Sequence, residues 1–382
     1  ARDDYDTFMT EETDANGDGE TLSLGAQTNG KYYQSYNASY STAWLGGKRP
    51  LQFNVSVFYS KQTGVNSNYY NNSARYAYYN SMNGYGRSYY NNYENYYDPN
   101  QYIQMLGASV GWGKRLRWPD DFFVLSMDLS YTRYMLKNWR YFIMSNGNAN
   151  NINLGLTLSR NSTDNPVYTR RGSDFSFSVS LTPPYSLFDK KDYSDPSLPI
   201  ADRYRFIEYH KWKYSGKVFL PLMNPATVKR TPVLMARVEG GIINSYNKYK
   251  RSPFGTYYMG GDMMSGSFGN YMNETIGLRG YKNGSIAGAN YDYAYSYMKA
   301  SLELRYPLIF EQSTTVWVLG FAEAGNAWAD ISRYNPFDLK RSAGIGVRVM
   351  MPMIGLLGLD WGYGFDRPNG YSERGGSNIH FV

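Results

Sequence analysis

Leu125-Ser126-Met127-Asp128-Leu129-Ser130-Tyr131-Thr132 is the stretch that decides the fold class. Leu125, Met127, Leu129 and Tyr131 alternate with Ser126, Asp128, Ser130 and Thr132, and a period of two puts the two sets on opposite faces of a β-strand. The pattern recurs in both directions. Leu51, Phe53, Val55, Val57 and Tyr59 carry it upstream. Ile152, Leu154, Leu156 and Leu158, then Phe175, Phe177, Val179 and Leu181, carry it downstream. Trp212, Tyr214, Val218 and Leu220 oppose Lys211, Lys213, Ser215 and Lys217, and Leu357, Leu359, Trp361 and Tyr363 oppose Gly358, Asp360, Gly362 and Gly364. An Asn29-Gly30 hairpin turn joins a strand at 22–26 to a tyrosine-rich return through Trp44. Further strands fit at 101–115, 232–245, 297–307, 314–328, 341–351 and 377–382, about fourteen in all.

A soluble sandwich would also alternate, with one face wet. Three features point instead to a transmembrane antiparallel β-barrel. The strands run to about ten to fourteen residues, against about five or six in globular sheets. Tyr, Trp and Phe gather near strand ends, as interfacial girdles require. The other face is Gly, Ser, Asn and charge, which suits a wet lumen. Connections from Trp44 onward alternate between compact turns and longer polar loops, such as 115–121 against 137–150 and 307–314 against 329–340. The longest are 61–100, dominated by Tyr, Asn, Ser and Gly, and 246–296. All-β throughout is the expectation.

Composition agrees and excludes other classes. Tyr (41) and Gly (38) lead a chain of 382 residues that is only 42 % hydrophobic, with a mean hydropathy of −0.56. No run approaches the ~18 apolar residues of a membrane helix. Absence of cysteine removes disulfide and thiolate chemistry. The net charge of +7 is interspersed, and 61–100 carries few Lys or Arg, so no nucleic-acid partner is expected. His210 and His380 are the only histidines and lie on different strands, which leaves no metal site and no catalytic triad. No phosphate loop is present and no cofactor is expected. Asp14-Ala15-Asn16-Gly17-Asp18-Gly19 opens like a calcium loop, but Leu22 and Gly25 stand where ligands belong, so a turn is the better reading.

Within the 246–296 loop lies Ile276-Gly277-Leu278-Arg279-Gly280-Tyr281. An arginine turned inward needs a carboxylate, and two follow: Glu303, which shares a polar face with Ser301 and Arg305, and Glu323, between Ala322 and Ala324. On adjacent antiparallel strands the two acids come within reach of each other and repel unless a cation intervenes. The forked donors of Arg279 can satisfy both.

The order of these pieces resembles the BamA family of outer-membrane protein assembly factors. The loop with Leu278-Arg279-Gly280-Tyr281 is followed by Ala300-Ser301-Leu302-Glu303 and by Phe321-Ala322-Glu323-Ala324-Gly325-Asn326-Ala327-Trp328. Arg341-Ser342-Ala343-Gly344-Ile345-Gly346-Val347, a Met-Pro turn and a closing hairpin come next. Upstream, Asn165-Pro166-Val167-Tyr168-Thr169-Arg170-Arg171-Gly172 resembles the family's periplasmic turn, through Asn165, Pro166, Tyr168 and Gly172, and Trp44-Leu45-Gly46-Gly47 fits an earlier one.

The resemblance covers roughly 21–382 and implies a loop tip folded into the lumen on Glu303 and Glu323, the latter where many members have Asp. It implies no enzyme but a factor that folds and inserts barrel proteins by strand templating at a lateral seam. Its partners would be unfolded outer-membrane clients, accessory lipoproteins, and the lipid and lipopolysaccharide of a Gram-negative outer membrane. Against the family's sixteen strands and preceding POTRA domains, 21–382 is expected to be a barrel domain incomplete at both ends, without two first strands. Residues 1–20 are expected to be an irregular acidic segment. A TamA-like translocase of the same superfamily is the nearest alternative, then a passive diffusion pore; an outer-membrane hydrolase comes last.

Overall fold

The computed structural model describes residues 8–16, 20–30, 32–45, 51–65, 97–139, 144–252, 254–262, 274–287, 294–311, 314–351 and 355–381, with backbone alone at 8–16, 65 and 97. The strands are β1 (Phe8–Asn16), β2 (Glu20–Asn29), β3 (Tyr33–Thr42), β4 (Leu51–Val65), β5 (Tyr97–Arg115), β6 (Phe123–Lys137), β7 (Gly147–Asn161) and β8 (Gly172–Leu181). They continue as β9 (His210–Pro221), β10 (Val233–Asn244), β11 (Tyr257–Met259), β12 (Glu274–Ile276), β13 (Ser296–Phe310), β14 (Thr315–Trp328), β15 (Lys340–Met351), β16 (Gly355–Gly364) and β17 (Gly376–Phe381). Among the described residues fifteen of them form one sheet, in which each strand lies beside its neighbour in sequence once β11 and β12 are set aside. Such a meander needs only hairpin connections, which is why turn signals and strand periods alternate along the chain.

The expected strands all appear; most are extended by a few residues, while 232–245 and 314–328 are trimmed to Val233–Asn244 and Thr315–Trp328 and the return strand read through Trp44 ends at Thr42. Ladder hydrogen bonds do not require an apolar face, so pairing continues past the apolar period. Hence 61–65 and 97–100, expected to be loop, belong to β4 and β5, while 66–96 lies outside the described residues. The expectation for 1–20 is corrected in the same way. Residues 8–16 form β1, paired antiparallel with β2 from Phe8↔Thr28 to Asn16↔Glu20. Phe8 to Asn16 has no two-residue apolar period, so nothing in its pattern announces a strand. Asp14 and Asn16, read as the opening of a turn, are therefore part of that strand, and 17–19 lie outside the described residues.

The chain divides into two compact units, each with its own packing. The first comprises Ala1–Gly113, Asp128–Leu154 and Phe188–Ile207. In it Leu22, Leu24 and Val57 are exposed while Ser56 meets Ser109 at 2.7 Å. Among its described residues Ile103, Leu136, Trp139, Met144, Ala149, Tyr193 and Ile207 are the buried apolar side chains, with Ile207 N–H donating to the Asn150 carbonyl at 2.9 Å.

The second unit comprises Lys114–Met127, Gly155–Leu187 and Glu208–Val382. Its β13 decides which way the wall faces. Leu302 and Leu304 are 53 % and 51 % exposed, whereas Ser301 and Glu303 between and beside them are 4 % and 7 % exposed. Trp212, Tyr214, Phe175, Phe177, Ile345, Leu359 and Trp361 repeat the pattern on other strands. Leucine outside and glutamate inside is the inverse of a water-soluble wall; hydrocarbon is the solvent that favours it.

One expectation fails here. The inner face of this unit is not polar throughout: Tyr168, Phe219, Val233, Met235, Trp317, Leu319 and Phe321 form a buried cluster at the end where β7–β8, β9–β10 and β13–β14 are joined. The inner face can be apolar because the 162–171 turn folds onto it and supplies Tyr168, so those side chains meet a ring and not water.

Candidate functional site

The long loop between β10 and β13 has structure of its own. Tyr257–Met259 and Glu274–Ile276 pair in parallel as β11 and β12, and isolated bridges Gly261↔Leu278, Met259↔Ala287 and Tyr257↔Ala294 extend the arrangement. Leu278 and Tyr281 are wholly buried and Arg279 nearly so. Gly280 turns the tip with φ +85°, a region open to glycine at little cost. It also lies directly on the wall. A Cβ there would sit 2.9 Å from Gly364 N and from Tyr363 C, and a Cβ on Gly364 would sit 2.4 Å from the Gly280 oxygen. Gly362 and Gly364 on the inner face of β16, with Gly375 beside them, thus make a seat at backbone distance.

Arg279 is the centre of the ionic set. Its Nη2 donates to Glu303 Oε1 at 2.6 Å and to Glu323 Oε1 at 2.7 Å, and its backbone N–H donates to Glu323 Oε2 at 2.9 Å. The expected bridge of two acids is present, but through one nitrogen. The other arm, Nη1, reaches a third acid, Asp360 Oδ2, at 3.1 Å. Each acid has a second cation. Arg305 Nε donates to Glu303 at 2.8 Å, Lys299 Nζ stands 3.1 Å from Glu323, and Arg348 holds Asp360 with both Nη atoms at 2.6 and 2.7 Å.

Four cations therefore meet three carboxylates in a nearly dry space, and such a cluster persists only when each charge is paired and hydrogen-bonded. Burial alone would lower the Arg279 pKa; Glu323 and Glu303 outweigh it and hold the guanidinium above its ordinary value. The Phe321 ring lies 3.7 Å from the guanidinium carbon, adding a cation–π contact.

The tip also grips the last strand. Gly280 N–H donates to His380 Nε2 at 2.8 Å, and Asn378 Nδ2 donates to the Gly280 carbonyl at 3.0 Å. Tyr281 OH donates to the Arg341 carbonyl at 2.7 Å, and burial pushes its phenol up to about 12. Sequence reasoning missed Asp360, Arg348, Lys299 and His380. The signal available for Asp360 was that it is the one charge on a face otherwise made of Gly358, Gly362 and Gly364. His210 accepts from Trp212 Nε1 at 3.0 Å and is remote from this set.

The other motif, 164–172, is self-bonded. Asn165 Oδ1 accepts from the N–H groups of Val167 and Tyr168 at 2.8 and 3.1 Å, and Thr169 Oγ1 donates to the Asn165 carbonyl at 2.7 Å. This is the asparagine turn that Pro166, with its fixed φ, pre-forms. Gly172 re-enters the sheet at φ +109°, where a Cβ would be 2.2 Å from the Ser162 oxygen.

Tyr168 is fully buried, its ring set edgewise against Phe310 and Trp317 at centroid distances of 5.7 and 5.6 Å. Its hydroxyl is shared between the carbonyls of Thr231 at 3.2 Å and Arg305 at 3.3 Å. Tyr168→Phe should therefore cost about 1 kcal/mol in a urea-unfolding measurement, the worth of one such bond. An unchanged midpoint would show that the hydroxyl is idle. A cavity of about 600 Å³ lies between this turn and Arg279, with Thr169, Phe219, Arg237, Glu303 and Trp317 among its lining residues.

Comparison with known proteins places this geometry. A family model described as the Omp85 superfamily domain matches residues 14–382. No curated protein matches the chain. Among solved structures, BamA from Haemophilus ducreyi lacking POTRA domains 1-3 is similar with a TM-score of 0.59 and 19 % identity, over 97 % of this chain and 65 % of that one. CdiB from Acinetobacter baumannii gives a TM-score of 0.47 at 10 % identity, over 95 % and 52 % of the two chains. CdiB from Escherichia coli gives 0.49 at 10 %, over 95 % and 55 %. At such identity the likeness to BamA is one of fold, and this chain spans 65 % of the length of that solved chain, itself without POTRA domains 1-3. With strands alternating leucine outward and charge inward, and a family match that runs from Asp14 to the last residue, the chain belongs to the Omp85 superfamily and has its transmembrane antiparallel β-barrel fold.

Proposed function

We propose that this chain is the barrel of an outer-membrane protein assembly factor of a Gram-negative bacterium, which folds and inserts other barrel proteins. The observation that carries the reading is the buried Arg279 tip, held by Glu303, Glu323 and Asp360 and clasped by the last strand through His380 and Asn378. A loop packed this tightly on the inner wall narrows the lumen, which favours an assembly barrel over an open diffusion pore. The work required is non-covalent. A membrane admits no unpaired sheet edge, so a barrel that offers its own edge as a template lowers the barrier for an incoming strand.

Arg279 braces the wall against which that exchange takes place. The partners are unfolded outer-membrane clients, accessory lipoproteins, and the surrounding lipid and lipopolysaccharide.

The test is to place the purified protein in liposomes and add a urea-denatured client barrel. Folding, followed by the client's heat-modifiable mobility, should run several-fold faster than in empty liposomes. No acceleration together with large, steady conductance would assign a pore instead.

A further inference from the structure

The 245–295 loop has other ionic attachments, Lys250 with Glu208 at 3.5 Å and Arg251 with Asp330 at 2.6 Å, but within 274–281 the Arg279 contacts are one of two. Five residues earlier, Glu274 in β12 accepts from Lys211 Nζ at 2.7 Å and from Lys213 Nζ, both on β9. Lys211 Nζ also donates to the Gly255 carbonyl at 2.9 Å and lies 4.9 Å from the Tyr257 ring, so it fastens β11 as well. Between the two attachments the Gly277 carbonyl accepts from Lys299 at 2.7 Å. Residues 274–281 are therefore a strap, tied to β9 at its start and to β13–β17 at its end.

The ends differ in their access to water. Side-chain exposures are 31 % for Glu274, 35 % for Lys213 and 12 % for Lys211, against 10 % for Arg279 and 2 % for Glu323, so the open half of the anchor is the Glu274–Lys213 pair. A pair that is one-third exposed is weakened by salt, and a buried one much less. We propose that Glu274 is a positioning residue. With Lys211 and Lys213 it forms a salt-releasable anchor that sets where the strap crosses the lumen, while the Arg279 end stays fixed. On release the strap pivots about Arg279 and widens the cavity of about 330 Å³ between β12 and the Ser176, Ser178, Lys213 and Arg237 side chains.

Protons are the weaker lever on this anchor. Burial works to raise the Glu274 carboxyl, but Lys211 and then Lys213 outweigh it and hold it below its ordinary range. Tyr257, Tyr297, Arg237, Glu239 and Lys299 also face it. Because the folded pKa is depressed, the anchor's contribution is present above the ordinary glutamate value and lost only as pH falls through the lowered one. Near neutrality ionic strength controls it.

The inference deepens the assembly reading and rests on it for its consequence in the cell, but its test needs no client. The full chain is examined in planar bilayers for conductance and in liposomes for protease cleavage within 245–295, across a range of salt. Glu274→Gln should raise low-salt conductance and cleavage several-fold, to the level wild type reaches at high salt after correction for bulk conductivity. Lys211→Gln with Lys213→Gln should do the same, the combination adding nothing further. Glu274→Asp should stay near wild type, and heat-modifiable mobility should be unchanged in all. Wild-type conductance and cleavage in Glu274→Gln at every salt would overturn the proposal. So would a loss of heat-modifiable mobility, which would make Glu274 merely a folding residue. Failure to accelerate client folding, with these results intact, would remove only the assembly reading.

Discussion

Arg279→Ala should destabilise the barrel by about 3 kcal/mol, the lower end of the range for breaking a buried charge pair, and should release the loop tip. The lower end applies because no acid is left bare: Arg305 still holds Glu303, Lys299 holds Glu323, and Arg348 holds Asp360. What disappears is the one cation shared by all three, and with it the reason for the tip to stay. The urea midpoint read by heat-modifiable mobility measures the first effect, and protease cleavage within 245–295 the second.

Arg279→Lys should recover only part of both. An ammonium carries the charge but cannot present one nitrogen to Glu303 and Glu323 while another reaches Asp360. A wild-type midpoint and a protected loop in Arg279→Ala would mean that the cluster braces nothing. In the cell the same variant should fail to replace the native gene if assembly depends on the brace.

Gly280→Val should expel the tip as completely as Arg279→Ala, though it alters no charge. At φ +85° a non-glycine residue costs roughly 1–2 kcal/mol. The Cβ would in addition meet Gly364 N, Tyr363 C and Ser342 Cβ, all at 2.9 Å. Two of those three atoms are backbone of a ladder and cannot step aside, so overpacking adds about 1–3 kcal/mol.

The sum rivals what the ionic cluster supplies, and the tip should leave its seat. Gly364→Ala tests the seat from the other side, since its Cβ would lie 2.4 Å from the Gly280 oxygen. Both variants should show cleavage within 245–295 and loss of the His380 and Asn378 contacts to Gly280. A protected loop in Gly280→Val would show that the tip is looser than its contacts imply.

How much of this was legible in the chain differs by kind of feature. The strands were, because alternation is local: Leu302, Glu303 and Leu304 declare two faces without reference to any other strand. The turn at 164–172 was, because Asn165, Pro166 and Gly172 act on their own backbone. β1 was not, because its ladder with β2 uses backbone groups that no side-chain pattern reveals. Nor was the apolar cluster at Tyr168, whose ring travels from one turn to meet Phe310 on β13 and Trp317 on β14.

By itself, then, the order of residues determined that these strands exist, which face of each is greasy, and that an inward Arg279 would seek Glu303 and Glu323. Tertiary structure alone decided that Asp360 would be the third acid, that Arg348 and Lys299 would balance the set, and that His380 would receive the Gly280 N–H. Asp360 and His380 stand 81 and 100 residues from the tip in sequence, and they meet it only because the ladders from β13 to β17 keep their register beside the site. A slip of one residue in any ladder turns the inward charge of that strand to the hydrocarbon side, so the site is a property of the summed registers and of no single segment.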